Sequence, residues 1–394
     1  MLRSLFSGIS GLRAHQTMLD VTGNNIANVN TTGFKASQTQ FQDTLSQVLR
    51  NAGAAQDGVG GTNPAQVGLG VRVAGITTNF QQGAAQLTNR STDMMISGDG
   101  FFVVRKGGEQ FYTRAGAFDF DATGQLVTPD GGLVQGWAAA ADGSIDVNGP
   151  LVDLRLPIAT LMGAAATTEA TFEGNLPADA ALGTVLNRDV DVYSADGTVS
   201  RLALAFARTG ASTWTVTGTR DGGAPASITL SDGTGDGTLT ASGPLVVDGV
   251  RVDLASATGY AGLDTIEASS QDGRAAGTLQ SFTINADGTL LGSFSNGLKQ
   301  PLGRVALSTF TNPAGLEKAG GSLDRTTVNS GDAQVGAAGT GGRGELTGGA
   351  LEMSNVDLSA EFTNLIIAQR GFQANSRVIT TSDELLQELV NLKR

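Results

Sequence analysis

Residues 351–390 read LEMSNVDLSAEFTNLIIAQRGFQANSRVITTSDELLQELV. Within them Leu351, Leu358, Leu365, Phe372, Ile379 and Leu386 stand seven apart, and four residues on come Asn355, Phe362, Gln369, Ser376, Asp383 and Val390. A sustained seven-residue apolar repeat keeps one stripe of a helix against a partner, which is the pattern of a coiled-coil seam. Ser354 followed by Asp357 offers a capping-box start just ahead of the apolar run.

The same period appears at the opposite end. Leu2, Leu5, Ile9, Leu12, Leu19 and Ile26 fall at steps of three and four once Gln16 and Gly23 are counted as seam positions. The spacing predicts a helix over 1–27, about 39 Å long at ~1.5 Å per residue. No other strongly helical segment lies between the two, so the ends must pair with each other, with other copies, or with both. Gln16, Gly23, Gln369, Ser376 and Asp383 dilute the seam. Each buried apolar side chain contributes roughly 1.5–3 kcal/mol while ordering a residue costs about 1–2 kcal/mol, so both ends are expected to order on assembly.

Between the ends the apolar period drops to two. Phe101-Phe102-Val103-Val104, the turn Lys106-Gly107-Gly108-Glu109, then Phe111-Tyr112 read as a hairpin. Phe118 and Phe120 alternate ahead of Asp121-Ala122-Thr123-Gly124, and Leu126-Val127 follow. Eleven Asp-Gly dipeptides, among them Asp196-Gly197, Asp248-Gly249 and Asp287-Gly288, mark tight turns that match strand twist. Leu202, Leu204 and Phe206 alternate, as do Trp214 and Val216, and Leu245-Val246-Val247 and Val250-Arg251-Val252 flank one such turn. Strand signals return at Phe282 and Ile284 and continue through Val305, Leu307 and Phe310, before a glycine-rich stretch at 329–349 that reads as a long loop.

The predicted fold class is mainly β with long terminal α-helices. A coiled-coil-like helical domain is expected from 1–30 and 355–394, with connecting segments at 31–70 and 325–354. One β domain would be assembled from 71–145 and 281–324, and a second, all-β domain would be inserted at 146–280.

Composition removes several function classes. At 394 residues the chain exceeds a single core. A net charge of −12 with 25 scattered Lys+Arg leaves no basic stripe, so nucleic acid and anionic membrane are poor partners. Without cysteine there is no disulfide, thiol nucleophile or thiolate metal site. His15, the one histidine, has no nucleophile pattern nearby and reads as a residue of the solvated face. The opening residues lack the apolar core of a secretory signal, and no window approaches a membrane span. A chain of this kind leaving the cell is expected to use a route that cleaves no signal peptide.

No catalytic, metal-binding or cofactor-binding residue is expected. Asp119-Phe120-Asp121-Ala122-Thr123-Gly124 has the opening of a calcium loop but not its closing bidentate Glu, and reads as turn chemistry. Gly339-Thr340-Gly341-Gly342-Arg343-Gly344 matches G-x-G-x-x-G by letter without the strand and helix that a dinucleotide site requires. The most distinctive run is Asn24-Asn25-Ile26-Ala27-Asn28-Val29-Asn30-Thr31-Thr32-Gly33-Phe34-Lys35. Asn tolerates the left-handed conformation and its amide bonds local backbone, so the run can end a helix, order the exit and bond neighbouring subunits.

These residues resemble the bacterial flagellar rod, hook and hook-associated protein family. The resemblance rests on Ser10-Gly11-Leu12, the run Asn24 to Lys35, Gly100-Phe101-Phe102-Val103-Val104, Arg114-Ala115-Gly116, Gly124-Gln125-Leu126-Val127-Thr128 and Val134-Gln135-Gly136-Trp137. Asn355-Val356-Asp357-Leu358 and Ala368-Gln369-Arg370-Gly371-Phe372-Gln373-Ala374-Asn375 complete it at the far end. The large insertion and Phe172-Glu173-Gly174-Asn175-Leu176 resemble the hook branch, and Phe34 stands where hook-associated relatives usually carry Tyr. The distal rod protein is the alternative within the family, and a secreted β-rich adhesin the alternative outside it.

The resemblance implies a non-enzymatic tubular homopolymer outside the cell, joining rod to filament and transmitting motor torque around a bend. It implies rod protein, hook cap and hook-associated proteins as partners, and export through the flagellar type III apparatus. The terminal helices would line the tube, the first β domain would form its wall and the insertion would face outward. The assembly surface would comprise Leu2, Leu5, Ile9, Leu12, Leu19, Ile26, Leu358, Phe362, Leu365, Phe372, Ile379 and Leu386, together with Asn24, Asn25, Asn28, Asn30, Gly33 and Phe34.

Overall fold

The structure, a computed structural model, describes residues 2–54, 60–140, 142–156, 161–233 and 235–391. The remainder of the expected segments, at 1, 55–59, 141, 157–160, 234 and 392–394, lies outside the described residues. The fold is mainly β with two long terminal helices, α1 (Leu2–Ala27) and α2 (Leu358–Asn391). Two compact units divide the chain: Met1–Leu156 with Phe282–Leu291 and Pro301–Arg394, and Pro157–Ser281 with Gly292–Gln300.

In the first unit, Phe101–Lys106 and Glu109–Thr113 form the expected hairpin, in register from Phe102↔Thr113 to Lys106↔Glu109. Gly107 and Gly108 take φ of 62° and 89°, the left-handed pair that a two-residue turn of this twist requires. Leu133–Ala138 pairs with Phe101–Lys106 on one edge and reaches Arg304 and Val305 on the other. All four residues Phe101 to Val104 are buried, because both faces of this strand are covered. Phe101, Val103, Tyr112, Trp137, Ala306 and Phe310 close one side, with Phe310 edge-on to both Phe101 and Tyr112. Phe102 meets Phe118 edge-on at 5.0 Å within the same unit.

The second unit is a β-sandwich. One layer is an antiparallel meander of Val185–Tyr193, Val199–Arg208, Thr213–Arg220, Ala226–Ser231 and Thr240–Ala241. The other places Glu169–Asn175 beside Val250–Asp253 in parallel and beside Glu267–Gln271 antiparallel. The alternating residues Leu202, Leu204, Phe206, Trp214 and Val216 face a common core with Phe172, Leu245, Val250 and Val252. Asp248 and Gly249, both at positive φ, turn the hairpin between Leu245–Val247 and Val250–Asp253 as the dipeptide predicts.

Segments expected to connect are more ordered than their composition suggests. Ser37–Asp43 pairs with Val71–Thr78, and Ser46–Arg50 with Ala65–Gly68. The glycine-rich stretch 329–349 is not one loop: it contains Gln334–Gly336 and Glu345–Gly348, the latter paired with Met94–Ser97. Leu351 belongs to strand Ala350–Glu352 rather than to α2, pairing with Gln86. Its place in the seven-residue series is coincidental, since Asp357 ends the strand-exit segment and starts the helix. Asp357 Oδ1 accepts the amides of Ser359 at 2.8 Å and Ala360 at 3.3 Å, so Asp357, not Ser354, is the N-cap.

Candidate functional site: the joint where both chain ends meet

The helices run antiparallel, and glycines on both let them approach closely. A Cβ added to Gly8 would lie 3.3 Å from Ile379 Cγ1, and one added to Gly11 would lie 2.7 Å from Asn375 Oδ1. One added to Gly371 would come within 2.5 Å of the His15 ring. Along α1 the buried positions are Gly8, Gly11, Ala14, Thr22 and Asn25, and along α2 Ala368 and Ser382 are buried. Small residues let two backbones approach until dispersion contacts are dense, which large side chains would prevent.

The second seam row of α2 is therefore three residues on from Leu365, Phe372 and Ile379, at Ala368, Asn375 and Ser382. The row expected four residues on points elsewhere: Phe362 is 52% exposed, Val390 is 67% exposed, and Gln369 and Asp383 are exposed. The coiled-coil spacing of four selects that row, whereas the helix pair closes on the smaller residues three on. Leu5, Ile9, Leu12, Leu19 and Ile26 are half-buried, as are Leu365, Phe372, Ile379 and Leu386, while Leu358 is exposed. The side chain of Leu2 lies outside the described residues.

His15 is not on a solvated face. Its ring sits over Gly371 and 5.8 Å from Phe41, and its Nδ1 is buried with no hydrogen-bond partner among the described residues. Strand Ser37–Asp43 turns back onto α1 and covers that side, which the polar composition of SQTQFQD did not signal.

The Asn run turns the chain from helix into this strand. Asn25 Nδ2 donates to Ser37 O at 2.7 Å and to Glu361 Oε1 at 3.0 Å, while Asn25 Oδ1 accepts from Ser37 N at 3.0 Å. One buried amide thus ties α1, the strand and α2. Asn28 Nδ2 donates to Asn24 O at 2.9 Å and closes the helix end. Asn30 is exposed and makes no hydrogen bond among the described residues. Gly33 takes φ of 67°, and a Cβ there would be 2.5 Å from Ala115 N. Its own amide donates to Glu352 O at 2.7 Å, and the Phe34 ring lies 4.7 Å from the Lys318 ammonium.

Beneath the run sits a buried ion cluster. Glu352 Oε1 accepts from Lys35 Nζ at 2.6 Å and from Gly83 N at 2.8 Å, and Glu352 Oε2 lies 3.5 Å from Arg114 Nη1. The three side chains are 4%, 0% and 4% exposed for Lys35, Glu352 and Arg114. Burial pushes the pKa of Lys35 down, against the pull of Glu352, and burial likewise lowers that of Arg114. Asn355 adds a second knot: its Oδ1 accepts from Ala36 N at 2.8 Å, and its Nδ2 donates to Asn79 O and Gln81 O. Glu352, Arg114 and Asn355 escaped sequence reasoning as site residues because a buried pairing between positions hundreds apart leaves no local pattern.

Beside the cluster lies a cavity of about 220 Å³, lined by Asn24, Asn28, Lys35, Arg114, Lys318 and Asp324 among others. Among the described residues no group of three metal-ligating side chains occurs, and no helix is long and apolar enough to cross a membrane. The calcium-like opening is a turn, in which Asp121 Oδ1 accepts the amides of Thr123 and Gln125, both at 2.8 Å.

Two terminal helices knotted to a β unit, with a further β unit in mid-chain, define a class, and comparison supplies it: the structural proteins of the flagellar rod and hook. Residues 5–35 match the flagella basal body rod protein family, 95–168 the flagellar hook protein FlgE/F/G D1 domain, and 347–392 the flagellar basal body rod FlgEFG protein C-terminal family. The chain is 41% identical to the flagellar hook protein FlgE of Borreliella burgdorferi, covering 100% of both. It is 37% identical to that of Escherichia coli over 98% of each, and 35% identical to the flagellar basal-body rod protein FlgG of Bacillus subtilis over 100% of each. The crystal structure of Helicobacter pylori flagellar hook protein FlgE2 shares the fold, with a TM-score of 0.58 at 15% identity, covering 68% of this chain and 100% of that one. The chain belongs to the flagellar hook protein FlgE/F/G family.

Proposed function

We propose that the chain is the subunit of a flagellar hook, a tubular homopolymer outside the cell that carries motor torque from rod to filament. One observation carries the reading. After α1 and α2 have packed together, α2 still presents Phe362, Ile366 and Ile367 at 52%, 56% and 53% exposure. Three large apolar residues within two turns of helix mark a surface awaiting a partner, and in a homopolymer the partner is another copy.

In this reading the helix pair forms the inner tube and the unit around Phe101–Val104 the wall. The β-sandwich meets neighbouring copies through polar, water-mediated contacts that exchange at low cost as the tube bends. The Lys35–Glu352–Arg114 cluster locks the helices to the wall so that torque passes between them. Catalysis has no part in this role. Partners at the two ends are rod protein, hook cap and hook-associated proteins, and delivery is by the type III export apparatus. The family resemblance supports these assignments.

Electron microscopy of concentrated protein tests the proposal. Tubes or rings are the expected result, and dispersed monomers under all assembly conditions would overturn it in favour of an adhesin-like module. The distal rod alternative has less support, since flagellar hook proteins recur among the relatives across several organisms.

A further inference from the structure

We infer that the uncovered face of the hairpin formed by Ser46–Arg50 and Ala65–Gly68 is a docking site for α2 of a second copy of the chain, received along Phe362, Ile366 and Ile367. The inference rests on the homopolymer reading and names the surface that α2 meets.

The other end of this face already carries a helix. The register of Phe41↔Val73 and Asp43↔Val71 is kept through Leu45, whose carbonyl accepts the Leu69 amide at 3.2 Å, to Gln47↔Val67. Directly opposite residues share a face, and faces alternate along a strand, so Phe41, Leu45, Val67 and Leu69 lie on one side. At Phe41 that side packs on α1, with the ring 5.8 Å from His15. The strand pair stays on α1 as far as Ser10, whose Oγ accepts the Val71 amide at 3.2 Å, and Ser7, whose Cα lies 3.3 Å from a Cβ built on Gly70. Beyond Ser7 the helix has Leu2 to Phe6 left, about 8 Å at ~1.5 Å per residue. The hairpin runs on from Thr44 to Arg50, about 20 Å at ~3.3 Å per residue. It outruns its own helix by roughly 12 Å. There Leu45, Val67 and Leu69 stand 83%, 39% and 37% exposed.

The uncovered length is that of about two helical turns, and the exposed apolar stretch from Phe362 to Ile367 on α2 is nearly as long. A second copy supplies that helix because a head-to-tail polymer needs two different, complementary patches on every chain. α2 offers one and the hairpin the other. Both are exposed in the same chain, so neither covers the other. The hairpin also needs the layer that α2 would add, since a two-stranded ribbon is marginal by itself. Its strands hydrogen-bond to no third strand among the described residues, and every residue in them but Ala65 is exposed.

The chain has no cysteine, so cysteines introduced singly report the contact without background. Copies carrying Leu69→Cys are mixed with copies carrying Ile366→Cys, assembled, and mildly oxidised. A disulfide between the two kinds of copy is expected in polymer and not in dispersed protein, with neither kind linking to itself. Leu45→Asp with Leu69→Asp is expected to leave the monomer's thermal midpoint unchanged and to raise the critical concentration for assembly about tenfold. Polymer that forms no mixed disulfide, polymer in which Ile366→Cys copies link to one another, or a double Asp variant that assembles like wild type overturns the docking and leaves the hook reading standing. Wild-type protein that never polymerises overturns both.

Discussion

Gly371 on α2 lies beneath the His15 ring on α1, so close that a methyl group there would sit 2.5 Å from Cε1 and Nε2. The distance between the two helices at this level is set by the absence of a side chain on one and the flat face of a ring on the other. Gly371→Ala gains helix propensity worth about 1 kcal/mol, while the imidazole at the end of its side chain must swing aside. The two effects oppose, and a net change within about 1 kcal/mol is expected. Gly371→Leu has no such escape and is expected to destabilise the helix pair by roughly 1–3 kcal/mol through overpacking. Hydrogen exchange of α1 amides reads the difference, and equal protection in both variants would remove Gly371 from the role given to it.

Glu352 is the shared anion of the joint, and the order of damage among its variants follows from counting charges. Glu352→Gln keeps the shape but leaves Lys35 buried without a counter-charge and Arg114 with Asp99 alone, and a loss of roughly 3–5 kcal/mol is expected. Lys35→Met leaves Glu352 with Arg114, still a neutral pair, so its loss is expected to be smaller. Denaturant midpoints of the two variants against wild type provide the check. The reverse ranking would mean that Lys35, not Glu352, organises the cluster.

Asp324 gives the joint a pH dependence of definite sign. Burial pushes its carboxyl up to about 6, with the Lys318 ammonium pulling the other way. A carboxyl whose folded pKa lies above its ordinary value of 3.8 holds its proton more tightly when folded. Its contribution is fully favourable in acid and is lost as pH rises from about 4 to about 6. Asp324→Asn removes that loss. The variant is expected to unfold at higher denaturant than wild type near pH 7.5 and to show no gain near pH 4. A lower midpoint near pH 7.5 would mean that attraction to Lys318 outweighs burial.

How far the sequence reaches is clearest at this joint. The seven-residue series Leu358 to Leu386 placed α2, and the alternation around Phe101 and Leu204 placed both β units, because periodicity reports directly which face of an element is covered. Which second row faces α1 was not legible. The heptad offset of four pointed to Phe362 and Val390, whereas the pair closes on Ala368, Asn375 and Ser382, and a helix pair joined through Gly8, Gly11 and Gly371 makes its contact where side chains are missing. Strand Ser37–Asp43 was hidden for a related reason: it lies on α1 through the bonds of Asn25 to the Ser37 backbone and through the single ring of Phe41 against His15, so few of its own side chains are apolar. The Asn run announced a shaped exit, yet the partners it holds, Glu352, Asn355 and Arg114, come from remote parts of the chain and emerge only when the two ends are brought together.

Because α1 and α2 pack together within one chain, the ends have a partner before assembly, unlike the expectation drawn from their diluted seams, and the two rows of α2 make opposite predictions about monomer and polymer. Leu365 and Phe372 are half-buried on the row that faces α1, so their replacement by Asp places charge in the helix pair and is expected to reduce both α1 protection in the monomer and polymer yield. Phe362 and Ile366 are more than half exposed and contribute little to the isolated chain. Phe362→Asp with Ile366→Asp is therefore expected to leave the monomer's thermal midpoint and α1 protection within error of wild type, while lowering polymer yield at least tenfold. The reason is that each side chain is worth roughly 1.5–3 kcal/mol when buried by a neighbour, and every subunit in a tube makes the contact. Sedimentation of polymer alongside calorimetry of monomer measures both quantities on one preparation. If the exposed-row variant polymerised normally, α2 would meet its neighbours through some other face, and the apolar surface that motivates the hook reading would have lost its purpose.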